Sequence, residues 1–119
     1  MSISQTKKFS DGPVCGLDYA FRRIGGKYKA RIIKYVSNAD NVMRHGELMR
    51  KIQNITPKML TQCLRELEHD GLLFREVYRQ VPPRVEYSVT ETGMELLPFI
   101  EHLAVWGAKR LEEDRSSTA

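Results

Sequence analysis

The chain is poor in the residues that build several common kinds of protein. It has two cysteines, Cys15 and Cys63, among 119 residues. A disulfide scaffold of this size needs more, so a reducing compartment is expected. No apolar run approaches the roughly 20 residues of a membrane span, and no membrane partner is expected. Met1 to Ser10 is polar and lacks the apolar stretch of a secretion signal. A soluble, cytoplasmic protein is the expectation. His45, His69 and His102 stand far apart, with no Cys or carboxylate at ligand spacing, so no metal and no other cofactor is expected. No nucleophile, base and orienting group stand together, and Gly25-Gly26 reads as a helix–helix turn, not a phosphate loop. These absences argue against an enzyme.

What remains is one small domain with a single modest core. Charged residues are 29% and hydrophobic ones 41%, which excludes a disordered chain. The net charge of +4 permits an anionic partner without requiring one. It is unevenly spread. Residues 1–50 carry ten Lys/Arg against four Asp/Glu, and residues 51–119 carry nine against eleven.

The periodicity predicts helices, then a hairpin, then a helix. Leu17, Ala20, Phe21 and Ile24 follow the i, i+3, i+4, i+7 spacing of a short helix that Gly25-Gly26 ends. A second helix carries Tyr28, Ile32, Tyr35 and Val36 on one face and breaks at Asn38–Asn41. A third runs from about Arg44 to Ile52, with Leu48, Met49 and Ile52 inward. Thr56-Pro57 starts a fourth. The Thr hydroxyl suits an N-cap, and proline lacks only an N–H that would be unpaired at that position. Leu60, Leu64 and Leu67 face inward, and the helix ends near Asp70-Gly71.

From Leu72 the period falls to two. The runs Leu73–Arg79 and Arg84–Val89 flank Pro82-Pro83 and predict a hairpin with a loop longer than two residues. Thr90 caps a last helix, expected from Glu91 to about Glu113. Leu96, Ile100, Leu103 and Gly107 form its stripe, and Pro98 kinks it or detaches its first turn.

This order is the layout of a winged helix-turn-helix. The expected class is α+β, mainly α, with a two-stranded β-hairpin wing and dimerisation helices at both ends. The expected division is a flexible tail at 1–13, the domain at 14–113 and a flexible tail at 114–119.

In such a layout the Thr56–Asp70 helix enters the major groove of double-stranded DNA. Its outward face carries Lys58, Thr61, Gln62 and Arg65. Gln and Arg suit bidentate contacts to base edges, while Lys, Thr and the helix start at Thr56-Pro57 suit phosphates. The hairpin adds Arg75, Arg79 and Arg84 for the backbone or minor groove. Any one of these side chains reads equally well as a solvated surface. The combination of cap, polar face, leucine face and arginine-bearing hairpin favours DNA. A winged-helix module that binds protein instead of DNA is the alternative.

Several stretches carry a family resemblance. They are Ile24–Tyr28, Gly46–Leu48, Ile55–Thr61, Leu64–Leu67, Asp70–Leu72, Val81–Tyr87 and Thr90–Gly93. Over Cys15 to Gly107 the chain resembles the HxlR-type bacterial winged-helix regulators of transcription. The resemblance implies a homodimer joined through the first and last helices, with one reading helix per subunit. It also implies control by a small molecule or a redox signal. Tyr28 stands where that family usually has Trp, His45 where Phe is common, and Pro57 in a slot that is often polar.

Leu17 and Phe21 of the first helix and Ile100, Leu103 and Trp106 of the last are the interface residues the resemblance implies. The broad apolar face around Trp106 reads either as core packing or as a dimer interface. A helix apolar on more than one face, in a chain with so little core, favours the second. A twofold dimer reads a pseudo-palindromic operator with half-sites about one helical turn apart. Cys15 is the redox-sensing candidate, because helix N–H dipoles favour a thiolate there. Its other reading is a small half-buried hydrophobe. Cys63, between Leu60 and Leu64 in sequence, reads as packing.

Overall fold

A computed structural model describes residues 15–117. The tail expected at 1–13 lies outside the described residues. Helices α1 (Gly16–Ile24), α2 (Lys29–Asn38), α3 (His45–Lys51) and α4 (Pro57–His69) precede strands β1 (Leu73–Tyr78) and β2 (Arg84–Val89), and helix α5 (Glu91–Ser117) follows. The strands pair antiparallel in one sheet, from Leu73 opposite Val89 to Tyr78 opposite Arg84. A short third rung flanks them, where Met43 exchanges both backbone hydrogen bonds with Tyr87 at 3.0 and 2.8 Å.

One apolar core joins these parts. Ile32, Ile33 and Val36 of α2 meet Leu48 of α3, Leu60, Leu64 and Leu67 of α4, and Leu73, Tyr87 and Val89 of the hairpin. Each lies on the inward stripe of its helix or on the inner face of a strand, as the two periods require.

The ends of α4 explain its placement. Thr56 Oγ1 accepts the Met59 N–H at 3.1 Å, and Pro57 is the first helical residue. At the other end Gly71 takes φ +76°, a left-handed conformation that glycine adopts without a Cβ penalty. The Leu72 N–H then reaches the Leu67 carbonyl at 2.9 Å, and the Gly71 N–H reaches that of Glu68 at 3.0 Å. This paired closure turns the chain into β1 with Leu67 and Leu72 both buried.

Two side chains tie the hairpin to its neighbours. Asn41 grips both polar groups of Val89, accepting its N–H at 2.8 Å and donating to its carbonyl at 3.2 Å. Thr90 caps α5 by accepting the Gly93 N–H at 3.0 Å, and its own hydroxyl donates to the Gly71 carbonyl at 2.6 Å.

Helix α5 corrects one expectation and narrows another. It runs through Ser117, so 114–117 are helical and not a flexible tail. The sequence from Lys109 to Arg115 contains no breaker, and Arg110 pairs with Glu113 at 3.4 Å one turn on. Pro98 also sits inside one uninterrupted helix and does not detach a first turn. The carbonyl it leaves unpaired is that of Met94, an exposed residue whose carbonyl can turn to water. Among the described residues no helix is long and apolar enough to cross a membrane.

Candidate nucleic-acid interface

The outward face of α4 gathers the side chains expected to read DNA. Pro57, Lys58, Thr61, Gln62 and Arg65 line one open cleft of about 470 Å³. Thr61 and Arg65 also line a second, of about 360 Å³, with Glu68, Arg75 and Tyr87. The two clefts adjoin, so Arg75 of the hairpin belongs to the same surface as the helix.

Not every cation expected to meet DNA is free. Arg84 is half-buried, with its guanidinium 4.1 Å from the centre of the Tyr78 ring and its Nε 3.4 Å from Glu86 Oε2. That Nε makes no hydrogen bond, so the pairing is a charge contact and not an aligned bond. Arg84 therefore shapes the loop end of the wing, where it pairs with Tyr78, and reaching DNA requires it to leave both partners. Arg79 is exposed in the loop beyond β1. Gln62 donates to Glu66 at 3.1 Å, and Glu66 in turn takes a 2.7 Å contact from Lys29 of α2. The Lys29 hydrogen bond, then that of Gln62, holds the Glu66 carboxyl below the usual carboxylate range.

One neighbour of this face escapes a periodicity reading because it meets α4 only in space. His45, the first residue of α3, places Nε2 3.1 Å from Thr61 Oγ1. Arg44, which precedes α3, and Glu47 and Arg50 of α3 line a further cleft of about 480 Å³ with Val42, Gly46 and Glu86. The basic surplus of the first half is also organised. Lys27 and Arg31 lie 5.6 and 6.0 Å from the Tyr28 ring, and Arg31 and Lys51 lie 6.0 and 5.6 Å from that of Tyr35. The Tyr28 hydroxyl donates to the Asn54 carbonyl at 3.2 Å, which seats this cluster against the turn that leads into α4.

The expected interface residues separate into two groups. Leu17 and Phe21 are 63% and 50% exposed on α1, and Leu103 and Trp106 are 56% and 62% exposed on α5. Ile100 is only 5% exposed and packs in the chain's own core, so it is not open to a partner. The stripe turns outward after it, and Phe99, Val105 and Leu111 extend the exposed set. The cysteines separate likewise. Cys15 is exposed at the start of α1, and Cys63 is buried on α4. Burial pushes the Cys63 thiol up and away from thiolate chemistry.

Comparison with known proteins gives the family of the chain. The profile of the HxlR-like helix-turn-helix family matches residues 23–115. The HTH-type transcriptional regulator YkvN of Bacillus subtilis is 46% identical over 108 residues, covering 91% of this chain and 86% of its own. BH0655 of Halalkalibacterium halodurans, another HTH-type transcriptional regulator, is 46% identical over 105 residues, covering 88% and 89%. The redox regulator HypR has been solved in two states. Its reduced form shares 40% identity at TM-score 0.78, covering 86% of this chain and 99% of that one. Its oxidised form shares 43% at TM-score 0.75, covering 80% and 96%.

Proposed function

The chain belongs to the HxlR-like helix-turn-helix family of transcriptional regulators, and from that premise we propose that it binds a pseudo-palindromic DNA operator as a homodimer. The observation that carries this is the continuous surface of Lys58, Thr61, Gln62, Arg65 and Arg75 outside a helix whose other side is locked in the core. Gln62 and Arg65 read base edges in the major groove. Lys58 and the α4 start at Thr56-Pro57 hold phosphates, and Arg79 reaches the flanking backbone or minor groove. The exposed faces of α1 and distal α5 pair the two subunits. Such a role is exercised in the cytoplasm.

Purified protein tests this by anisotropy on duplexes from its own upstream region, at several salt concentrations. Affinity is expected to fall steeply with salt, as phosphate contacts release counterions. Arg65→Ala is expected to relax sequence preference at a cost of about 1–3 kcal/mol, and Lys58→Ala to weaken all duplexes alike. Binding that ignores both salt and sequence overturns the reading and leaves the winged helix as a protein-interaction module.

The likeness to HypR and the exposure of Cys15 support redox control as the signal. Diamide then changes operator affinity, and Cys15→Ser abolishes that change. An affinity that diamide leaves untouched directs the search to a small-molecule effector.

A further inference from the structure

Of the surfaces and clusters outside the expected reading residues, the contact between α3 and α4 goes furthest. His45 and Thr61 are 16 residues apart, both half-buried, and joined at 3.1 Å. A threonine inside a helix can turn its hydroxyl back to the carbonyl four residues earlier, here that of Pro57. In this chain the Thr61 hydroxyl has the imidazole as its partner.

The chemistry of the pair has a consequence for recognition. A hydroxyl has one proton to donate and lone pairs to accept with. With the ring proton on Nε2, the imidazole donates to Oγ1 and the hydroxyl proton is free to point outward. With the ring proton on Nδ1, Nε2 takes the hydroxyl proton, and only the oxygen lone pairs face outward. A neutral ring holds one form or the other. Thr61 and Arg65 are the two residues that line both clefts of the α4 surface, so this hydroxyl sits at the middle of the reading face.

We infer that His45 sets the hydrogen-bond polarity of Thr61 toward the base edges and thereby helps to fix the base that α4 selects at that step. As a donor, Thr61 favours guanine N7 or O6, adenine N7 or thymine O4. As an acceptor, it favours the amino groups of adenine or cytosine. His45 works through Thr61 and is a positioning residue. The inference rests on the DNA reading proposed above.

Selection of bound duplexes from a randomised pool tests it on the full-length chain, with no operator known beforehand. Thr61→Val defines the Thr61 step as the one it flattens. His45→Phe is expected to flatten the same step, by about fivefold for one hydrogen bond, and to leave the other steps unchanged. The double variant is expected to match Thr61→Val alone. Preference is a ratio within the bound population, so partial unfolding does not move it. His45→Leu replaces the Phe variant if thermal melting shows that Phe does not fit. The inference is overturned if the His45 variants keep the wild-type preference at that step, weaken every step alike, or add to the effect of Thr61→Val. A wild-type chain that selects no sequence at all overturns the DNA reading itself.

Discussion

Helix α5 lives in two environments. Its first ten residues bury Gly93 and Ile100 against the hairpin and the other helices. From Leu103 onward the helix has the same mix of leucine, aromatic and charged residues, yet Leu103, Val105, Trp106 and Leu111 are all at least half exposed. At 27 residues it is about 40 Å long, more than one small core can cover. The difference teaches that an apolar stripe reports a face to be covered and does not say by what. The proximal part finds its cover inside the chain. The distal part has none among the described residues, and on α1 only Ile24 packs against the core while Leu17 and Phe21 stay exposed.

The comparison breaks most sharply at Gly93. A Cβ there collides with the Leu72 carbonyl oxygen and comes within 2.6 Å of Val89 Cγ1. Neither can yield, since one is backbone and the other is packed in the core. Gly93→Ala is expected to cost about 3 kcal/mol of stability, read as a fall in urea midpoint. A change within experimental error shows that proximal α5 is not anchored as tightly as its burial implies.

The distal part is expected to answer in the opposite way. Leu103→Lys with Trp106→Lys removes apolar surface that no core residue of the same chain covers. The fold is expected to survive, by circular dichroism, while sedimentation reports a monomer. Operator affinity is expected to fall by about 100-fold, because two linked half-site contacts become independent. A dimer that persists with these lysines places the interface elsewhere.

Much of this was legible in the sequence, for local reasons. The Thr56-Pro57 start, the Gly71 stop and the leucine stripe of α4 are governed by neighbours a few residues away, and each forms as its residue types require. The hairpin and the Thr90 cap follow in the same way. What escaped depends on contacts between distant segments. Ile100 and Leu103 are equivalent in a helical pattern, and only the position of the hairpin and α2 decides that the first is buried and the second is not. Arg84 looked like an open cation until Tyr78 and Glu86 were folded around it. His45 signalled only a departure from the Phe common in the family, since nothing local connects the start of α3 with the middle of α4.

The smallest expected effect lies on the body itself, where α2 is pinned to α4. Lys29 is largely buried by its neighbours, and Glu66 is nearly half exposed. Solvent therefore screens the pair, which is expected to contribute under about 1 kcal/mol. Its sign is nevertheless fixed. The Lys29 and Gln62 hydrogen bonds lower the folded pKa of Glu66 below its unfolded value of about 4.3. The stabilisation is therefore fully present above that value and is lost as pH falls through the folded pKa. Unfolding free energies of wild type and Glu66→Gln are expected to differ by a constant amount near neutral pH and to converge below about pH 4. A gap that widens in acid contradicts the assignment. The same variant bears on the reading face, because Glu66 holds the Gln62 amide back along the helix. Removing that negative charge weakens the hold and frees Gln62 to turn outward. Binding to all duplexes is then expected to strengthen by a few-fold even as the fold weakens, because a carboxylate that repels phosphate has been taken from the edge of the surface.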